Sequence, residues 1–292
     1  MKTTWELDFY SRPVVDENGK KVWEVLICSS PLDIRSAGPQ LRFSKFCPST
    51  KVNSAWLREA IEEAIAQSSA PPAKIRFFRR QMNNMIVKTC KDMGIDPVPS
   101  RRTVVLSGWL QERMEQVYPQ EPGYQPSPAG ASLRFEAPIP EPLPDALEGE
   151  QWAFVSLSAG DFDEMNEWAI DFSEAFPIIG ENGLAPSLTP DDRIPGVIIF
   201  SRRALALAAW ISGLDLAFLK VETESNPRLL LETGVNQSWI LAPVTGSQTL
   251  KEAKGFAEAK KKAEQVHFLA VQSDPSSESF AGFWLLKELN IQ

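Results

Sequence analysis

The sequence predicts an α/β protein built as two related domains, each a mixed sheet covered by helices. Three observations predict it. Short apolar and β-branched runs alternate with segments of helical period. The order hairpin, helix, strand, helix occurs over residues 5–93 and again over 229–290. A proline-rich interval separates the halves, and 292 residues suffice for two domains of ordinary size.

In the first half, Trp5 to Val15 and Lys20 to Cys28 read as strands joined by Asp16-Glu17-Asn18-Gly19, with Asn-Gly at the turn. Trp5, Leu7 and Phe9 alternate with Glu6, Asp8 and Tyr10, so one face is apolar and the other carries carboxylates and a phenol. A third strand is expected over Leu41 to Phe46. Asn53 is placed to cap a helix whose apolar face is Trp56, Leu57, Ala60, Ile61, Ala64 and Ile65, and Pro71-Pro72 ends it.

The stretch from Lys74 to Trp109 reads as strand, basic turn, helix, loop, strand. Ile75 to Phe78 form the first strand, and Met82, Met85, Ile86 and Met93 recur at helical steps. Arg79, Arg80 and Gln81 stand at the junction, with Asn83 and Asn84 in the first helical turn, where unsatisfied backbone N–H groups favour an anion. Arg101 and Arg102 precede the strand that closes the stretch.

From Pro119 to Pro144 there are eight prolines and no sustained period. The division expected is an N-terminal domain over 1–118, a linker over 119–148 and a C-terminal domain over 149–292. In the last, Trp152 to Leu157 read as a strand and Asp163 to Phe172 as an acidic helix. Ile198-x-Phe200-x-Arg202-Arg203 repeats Ile75-x-Phe77-x-Arg79-Arg80 before another helix. Leu229 to Glu232 and Trp239 to Ala242 form a hairpin, Leu250 to Gln265 a helix, His267 to Val271 a strand and Phe280 to Leu289 a terminal helix.

The net charge is −8, but residues 1–118 hold 18 Lys and Arg against 13 Asp and Glu, and residues 119–292 hold 12 against 25. A polyanion should therefore prefer the first half. Cys28, Cys47 and Cys90 are too few and too scattered for a disulfide framework or a zinc site, and the single histidine, His267, leaves one candidate base. No cofactor or resident metal is expected. No signal peptide, transit peptide or membrane-spanning run is recognisable.

Candidate nucleic-acid contacts are Arg79, Arg80, Gln81, Asn83, Asn84, Arg101 and Arg102, with Tyr10, Lys45 and Phe78 on the sheet. Arginines take phosphates, amides read base edges, and rings such as Tyr10 and Phe78 stack on the bases of a single strand. The acidic hairpin also resembles a restriction-endonuclease-like sheet, in which Asp8 and Glu24 would hold Mg²⁺. That chemistry needs a lysine two residues after the second carboxylate, and Leu26 stands there. No phosphate-binding glycine loop or nucleophile elbow is present. A nuclease-like phosphodiesterase is one alternative reading; a protein-binding assembly factor without RNA affinity, using apolar surface such as Trp284-Leu285-Leu286, is another.

Four segments carry a family resemblance: Trp5-Glu-Leu-Asp-Phe-Tyr-Ser-Arg-Pro13, Lys74 to Asn84, Ile194-Pro-Gly-Val-Ile-Ile-Phe-Ser201 and Phe280-Ala-Gly-Phe-Trp-Leu-Leu286. They resemble the Tab/Atab family of RNA-binding translation factors of chloroplasts and cyanobacteria, over nearly the whole chain. The resemblance implies a non-enzymatic protein that binds A/U-rich single-stranded RNA in the 5′ leader of a photosystem message and supports its translation and photosystem I assembly. Ribosomal or photosystem assembly proteins would be further partners. A start directly at the family's first motif suits a cyanobacterial cytoplasmic member. Trp284, Leu285 and Leu286 would be a packing or partner signature on the terminal helix.

Overall fold

The computed structural model describes residues 3–36, 41–68, 70–126, 138–181, 183–224 and 226–289. The chain forms two compact units: Met1–Ser30 with Pro39–Arg134, and Pro31–Gly38 with Phe135–Leu289. Both are α/β with mixed sheets.

In the first unit, β1 (Thr4–Val15) and β2 (Lys21–Ser29) pair antiparallel with Trp5 opposite Ser29 and Phe9 opposite Val25. Asp16 organises their turn by accepting the N–H groups of Asn18 and Lys20, and Gly19 takes the positive φ of +74° that the turn requires. β3 (Arg42–Cys47) pairs with β2. The expected cap is present on α1 (Ser54–Ala66): Asn53 Oδ1 accepts the Trp56 N–H at 2.9 Å. Next come β4 (Lys74–Phe77), parallel to β1, α2 (Asn83–Asp92), and β5 (Asp96–Pro99), parallel to β4. The sheet order is β3-β2-β1-β4-β5.

Period-two alternation divides this sheet as expected. Trp5, Leu7, Phe9, Val25, Ile27, Ile75 and Phe77 pack with Trp56, Leu57 and Ile61 of α1 and Ile86 and Cys90 of α2. Each buried side chain of this size stabilises by roughly 1.5–3 kcal/mol. The face carrying Glu6, Asp8 and Glu24 is buried as well.

The segment that follows β5 differs from the sequence expectation. Val104–Glu112 is a helix, α3, and not a strand, and it continues into a π turn over Arg113–Val117. Its β-branched start favours a strand, but a tertiary contact overrides that preference: Glu6 Oε2 accepts the Leu106 N–H at 2.7 Å and so caps the first turn. Beyond it, Tyr124 bridges to Val14 and the Gln125 N–H donates to Pro13. Residues 127–137 of the proline-rich interval lie outside the described residues.

The second unit contains β6 (Glu141–Pro142), β7 (Gln151–Ser158), β8 (Ile170–Glu174), β9 (Arg193–Phe200), α4 (Ala204–Ser212), β10 (Leu216–Glu222), β11 (Arg228–Thr233), β12 (Gln237–Pro243), α5 (Ser247–Lys262), β13 (Val266–Gln272) and β14 (Phe280–Lys287). One sheet runs β7-β9-β13-β14-β8 and the other β10-β11-β12-β6. Leu269, Val271, Trp284 and Leu286 pack with Leu207, Ala208 and Ile211 of α4 and with the second sheet. On the opposite face Phe268, Phe283 and Leu285 pack with Phe162, Met165 and Phe176.

Two elements here correct the sequence expectation. The acidic segment forms 3-10 turns over Ala159–Glu167 followed by strand β8. The terminal helix is strand β14, buried on both faces, and a run of that kind has no polar alternation to distinguish it from a buried helix. Trp284 lies over Gly282, where an added Cβ would come within 2.2 Å of the indole.

Candidate nucleic-acid interface

The parallel pairing of β4 and β5 brings the two arginine pairs together. Phe77 stands opposite Pro99, and the Ser100 N–H donates to the Phe77 carbonyl at 2.8 Å. Arg79-Arg80 and Arg101-Arg102 therefore leave the sheet at the same carboxyl edge. Two helices also begin there: α3, and α2, which continues a 3-10 turn over Arg80–Met82 whose Met82 and Asn83 N–H groups donate to the Arg79 and Arg80 carbonyls. The carboxyl edge of parallel strands, with helix N-termini above it, is a common ligand position in α/β sheets.

The candidates at this edge fall into two groups. Arg80, Gln81 and Asn84 face solvent, and Asn83 is half-buried and donates to Asn84 Oδ1 at 3.3 Å. Arg101 and Arg102 are only 9% and 4% exposed, and the Arg102 N–H is held by Ser100 Oγ at 2.8 Å. Phe78, expected at the surface, is 2% exposed. A strand of alternating faces would expose it, but here the second face is covered too.

Arg79 is fixed below this surface. Its guanidinium forks onto Asp8, Nε to Oδ1 at 2.6 Å and Nη2 to Oδ2 at 3.3 Å, and lies 4.0 Å from the centroid of the half-buried Tyr10 ring. Arg12 bridges the two hairpin carboxylates, Nη1 to Asp8 at 2.9 Å and Nε to Glu24 at 3.1 Å. Arg113 from the π turn completes Glu24, and the Tyr118 hydroxyl donates to it at 2.5 Å. Burial opposes ionisation of Asp8, but Arg12 and Arg79 outweigh it and hold its carboxyl below the usual range. Burial dominates at Glu6 and raises its pKa to about 7, against the Leu106 N–H, Ser30, Arg76 and Arg102.

Sequence reasoning missed Arg12, Arg113 and Tyr118. Arg12 had a signal, because Glu6, Asp8, Tyr10 and Arg12 share the period-two register of β1. Arg113 and Tyr118 lie 89 and 94 residues from Glu24, which no local pattern reports. Asp8 and Glu24 make a poor cation site: every carboxylate oxygen of the pair already accepts from a guanidinium or the Tyr118 hydroxyl. Among the described residues no group of three His, Cys, Asp or Glu side chains is placed to hold a metal ion.

The remaining candidates lie apart. Lys45, on β3, donates to Glu63 at 2.6 Å and sits over Trp56 of α1. His267 is buried, with Nε2 accepting the Leu219 N–H at 2.8 Å and Nδ1 2.8 Å from the Gln265 carbonyl, which fixes a neutral imidazole as a link between β13 and β10. Trp284, Leu285 and Leu286 are core residues of β14. Among the described residues no helix is long and apolar enough to cross a membrane.

Comparison with known proteins gives concordant matches along the chain. The RNA-binding protein Tab2/Atab2 N-terminal family profile matches residues 4–113, and the C-terminal domain profile matches residues 130–287. The chloroplastic Protein TAB2 homolog of Arabidopsis thaliana is 37% identical over 290 residues, 98% of this chain and 74% of that protein. The homolog of Zea mays is 38% identical over 291 residues, 98% of this chain and 71% of that protein. No solved structure matches significantly. With both profiles matched in order and the homologs similar over almost its full length, the chain belongs to the Tab2/Atab2 family of RNA-binding proteins.

Proposed function

We propose that the protein binds single-stranded RNA across the carboxyl edge of β4 and β5, with Arg80, Gln81, Asn83 and Asn84 as direct contacts. Arg79, Arg101 and Arg102 underlie that surface and set its charge and shape. The observation that carries the reading is the convergence of both arginine pairs with the exposed turn into α2 at one edge of the basic half of a family member. The RNA is an A/U-rich 5′ leader of a photosystem message, and binding supports its translation and thereby photosystem I assembly. Such a leader pairs weakly and leaves its bases open, so amides reach base edges while guanidinium groups take phosphates. The reaction chemistry of a nuclease is not supported, since the hairpin carboxylates are committed to arginines.

Titrating labelled A/U-rich and C-rich oligonucleotides at several salt concentrations tests this. Arg80→Ala should weaken both equally and lower the salt slope by about 0.7, the value of one lost single-strand phosphate contact. Asn84→Ala should reduce the preference for A/U-rich RNA with little change in slope. A folded protein with Arg80, Gln81 and Asn84 all replaced by Ala that keeps its affinity would move the interface elsewhere.

A further inference from the structure

The two outer strands of the first sheet end it differently. In β5 the Asp96 and Ser100 N–H groups donate to β4, so residues 97 and 99 turn their backbone outward, and both are prolines with no N–H to offer. In β3 the pairing is set by the Ser29 N–H, which donates to the Leu41 carbonyl. In that register the N–H and C=O groups of Arg42, Ser44 and Phe46 point away from β2. These six groups have no partner among the described residues, and all three residues are exposed, Phe46 by 38%. A proline-free edge that carries an exposed ring is a template for a further strand.

We infer that β3 pairs antiparallel with β3 of a second copy of the chain about a two-fold axis at Ser44, joining two five-stranded sheets in a transient dimer. The order Arg42-Phe-Ser-Lys-Phe46 selects this occupant. About that axis Arg42 of one copy stands opposite Phe46 of the other, Phe43 opposite Lys45, and Ser44 opposite its own counterpart. Every cation therefore meets a ring across the join. The outward residues become the hydrogen-bonded pairs, so all six backbone groups of each copy are satisfied. Charge permits the approach, because Arg42 is paired with Glu112 of α3 at 3.2 Å and Lys45 with Glu63 of α1 at 2.6 Å. The same ion pairs bring α1 and α3 to the edge on opposite faces, so side chains of both helices border the joined strands.

At roughly one hydrogen bond per 100–200 Å², six bonds belong to an interface of about 600–1,200 Å², the weak and reversible class. Sedimentation equilibrium of the full chain over about 5–500 μM should show monomer and dimer together. Over the same series, hydrogen exchange of the Arg42, Ser44 and Phe46 amides should slow as concentration rises, while that of Val98, which faces β4, stays constant. Ser44→Pro gives β3 the device of β5 and should abolish the dimer. Phe46→Lys, which keeps the strand and sets like charges opposite each other, should weaken it about 10-fold or more. Ser44→Cys should form an intermolecular disulfide under mild oxidation much faster than the exposed control Lys91→Cys, since paired strands hold the two Cα atoms about 5.5 Å apart. Cys28, Cys47 and Cys90 are buried and do not compete. RNA affinity per chain should persist in Ser44→Pro, which separates this edge from the interface proposed above. A chain that stays monomeric at the highest concentration, a dimer indifferent to Ser44→Pro and Phe46→Lys, or Ser44→Cys that crosslinks no faster than the control overturns the inference.

Discussion

The two five-stranded sheets bury their central strands by opposite means. In the second unit β13 and β14 are apolar on both faces, with Trp284 and Leu286 on one side and Phe283 and Leu285 on the other. In the first unit β1 is apolar on one face only; on the other, Glu6, Asp8 and Glu24 are as buried as any leucine. That layer is possible because three guanidinium groups and a phenol satisfy Asp8 and Glu24 completely. A buried ion network costs much in desolvation and adds little net stability, but it is directional. It fixes Arg79, and with it the turn that presents Arg80, in a way that apolar packing would not.

Three substitutions sharpen the contrast. The largest loss is expected for Trp284→Ala, about 5 kcal/mol by urea denaturation, because the indole fills the space over Gly282 and no neighbour can replace it. A loss much below this would mean that the apolar sheet relaxes around the cavity. Glu24→Gln should cost about 3 kcal/mol, since buried Arg113 loses its counter-ion and Arg12 is left with Asp8 alone. It should also weaken RNA binding if the network holds the Arg79 turn. Retained stability would show that the network is dispensable, and the comparison would fail.

The third concerns pH. Glu6 has its folded pKa raised from 4.5 to about 7, so the folded state holds that proton more tightly than the unfolded state. Its contribution to stability is therefore full below pH 4.5, declines as the pH rises towards 7, and is constant above. The decline is worth roughly 3 kcal/mol. Asp8 has the opposite sign: its depressed pKa gives stability above its ordinary value of 3.8 that is lost as the pH falls through the folded pKa. Glu6→Gln should flatten the slope between pH 4.5 and 7 in chemical denaturation and leave the acid limb intact. An unchanged slope would remove Glu6 from the account.

Much of the first unit was legible because its signals are local. The Asn18-Gly19 turn, the Asn53 cap and the alternation of Trp5, Leu7 and Phe9 with Glu6 and Asp8 each depend on residues a few positions apart. The arginine pairs were legible as candidates, but their convergence depends on the β4–β5 register, and the burial of Arg101, Arg102 and Phe78 depends on a second covered face. α3 and β14 were misread for related reasons. Val104-Val105 is drawn into a helix by a cap from Glu6, and Phe280 to Leu286 is so thoroughly buried that its pattern has no polar face to reveal the period.

The contact from Glu6 to Leu106 also has a kinetic side. α3 is nine residues long, has no capping side chain of its own, and takes its acceptor from 100 positions earlier in the chain. A helix that short is marginal in isolation. It therefore gains its first turn only when β1 is already paired, which makes the closure of a long loop a precondition and places α3 late in folding. During synthesis the hairpin, α1 and α2 precede it out of the ribosome, and the acidic face of the sheet stays wet until residues 106–118 arrive to cover it.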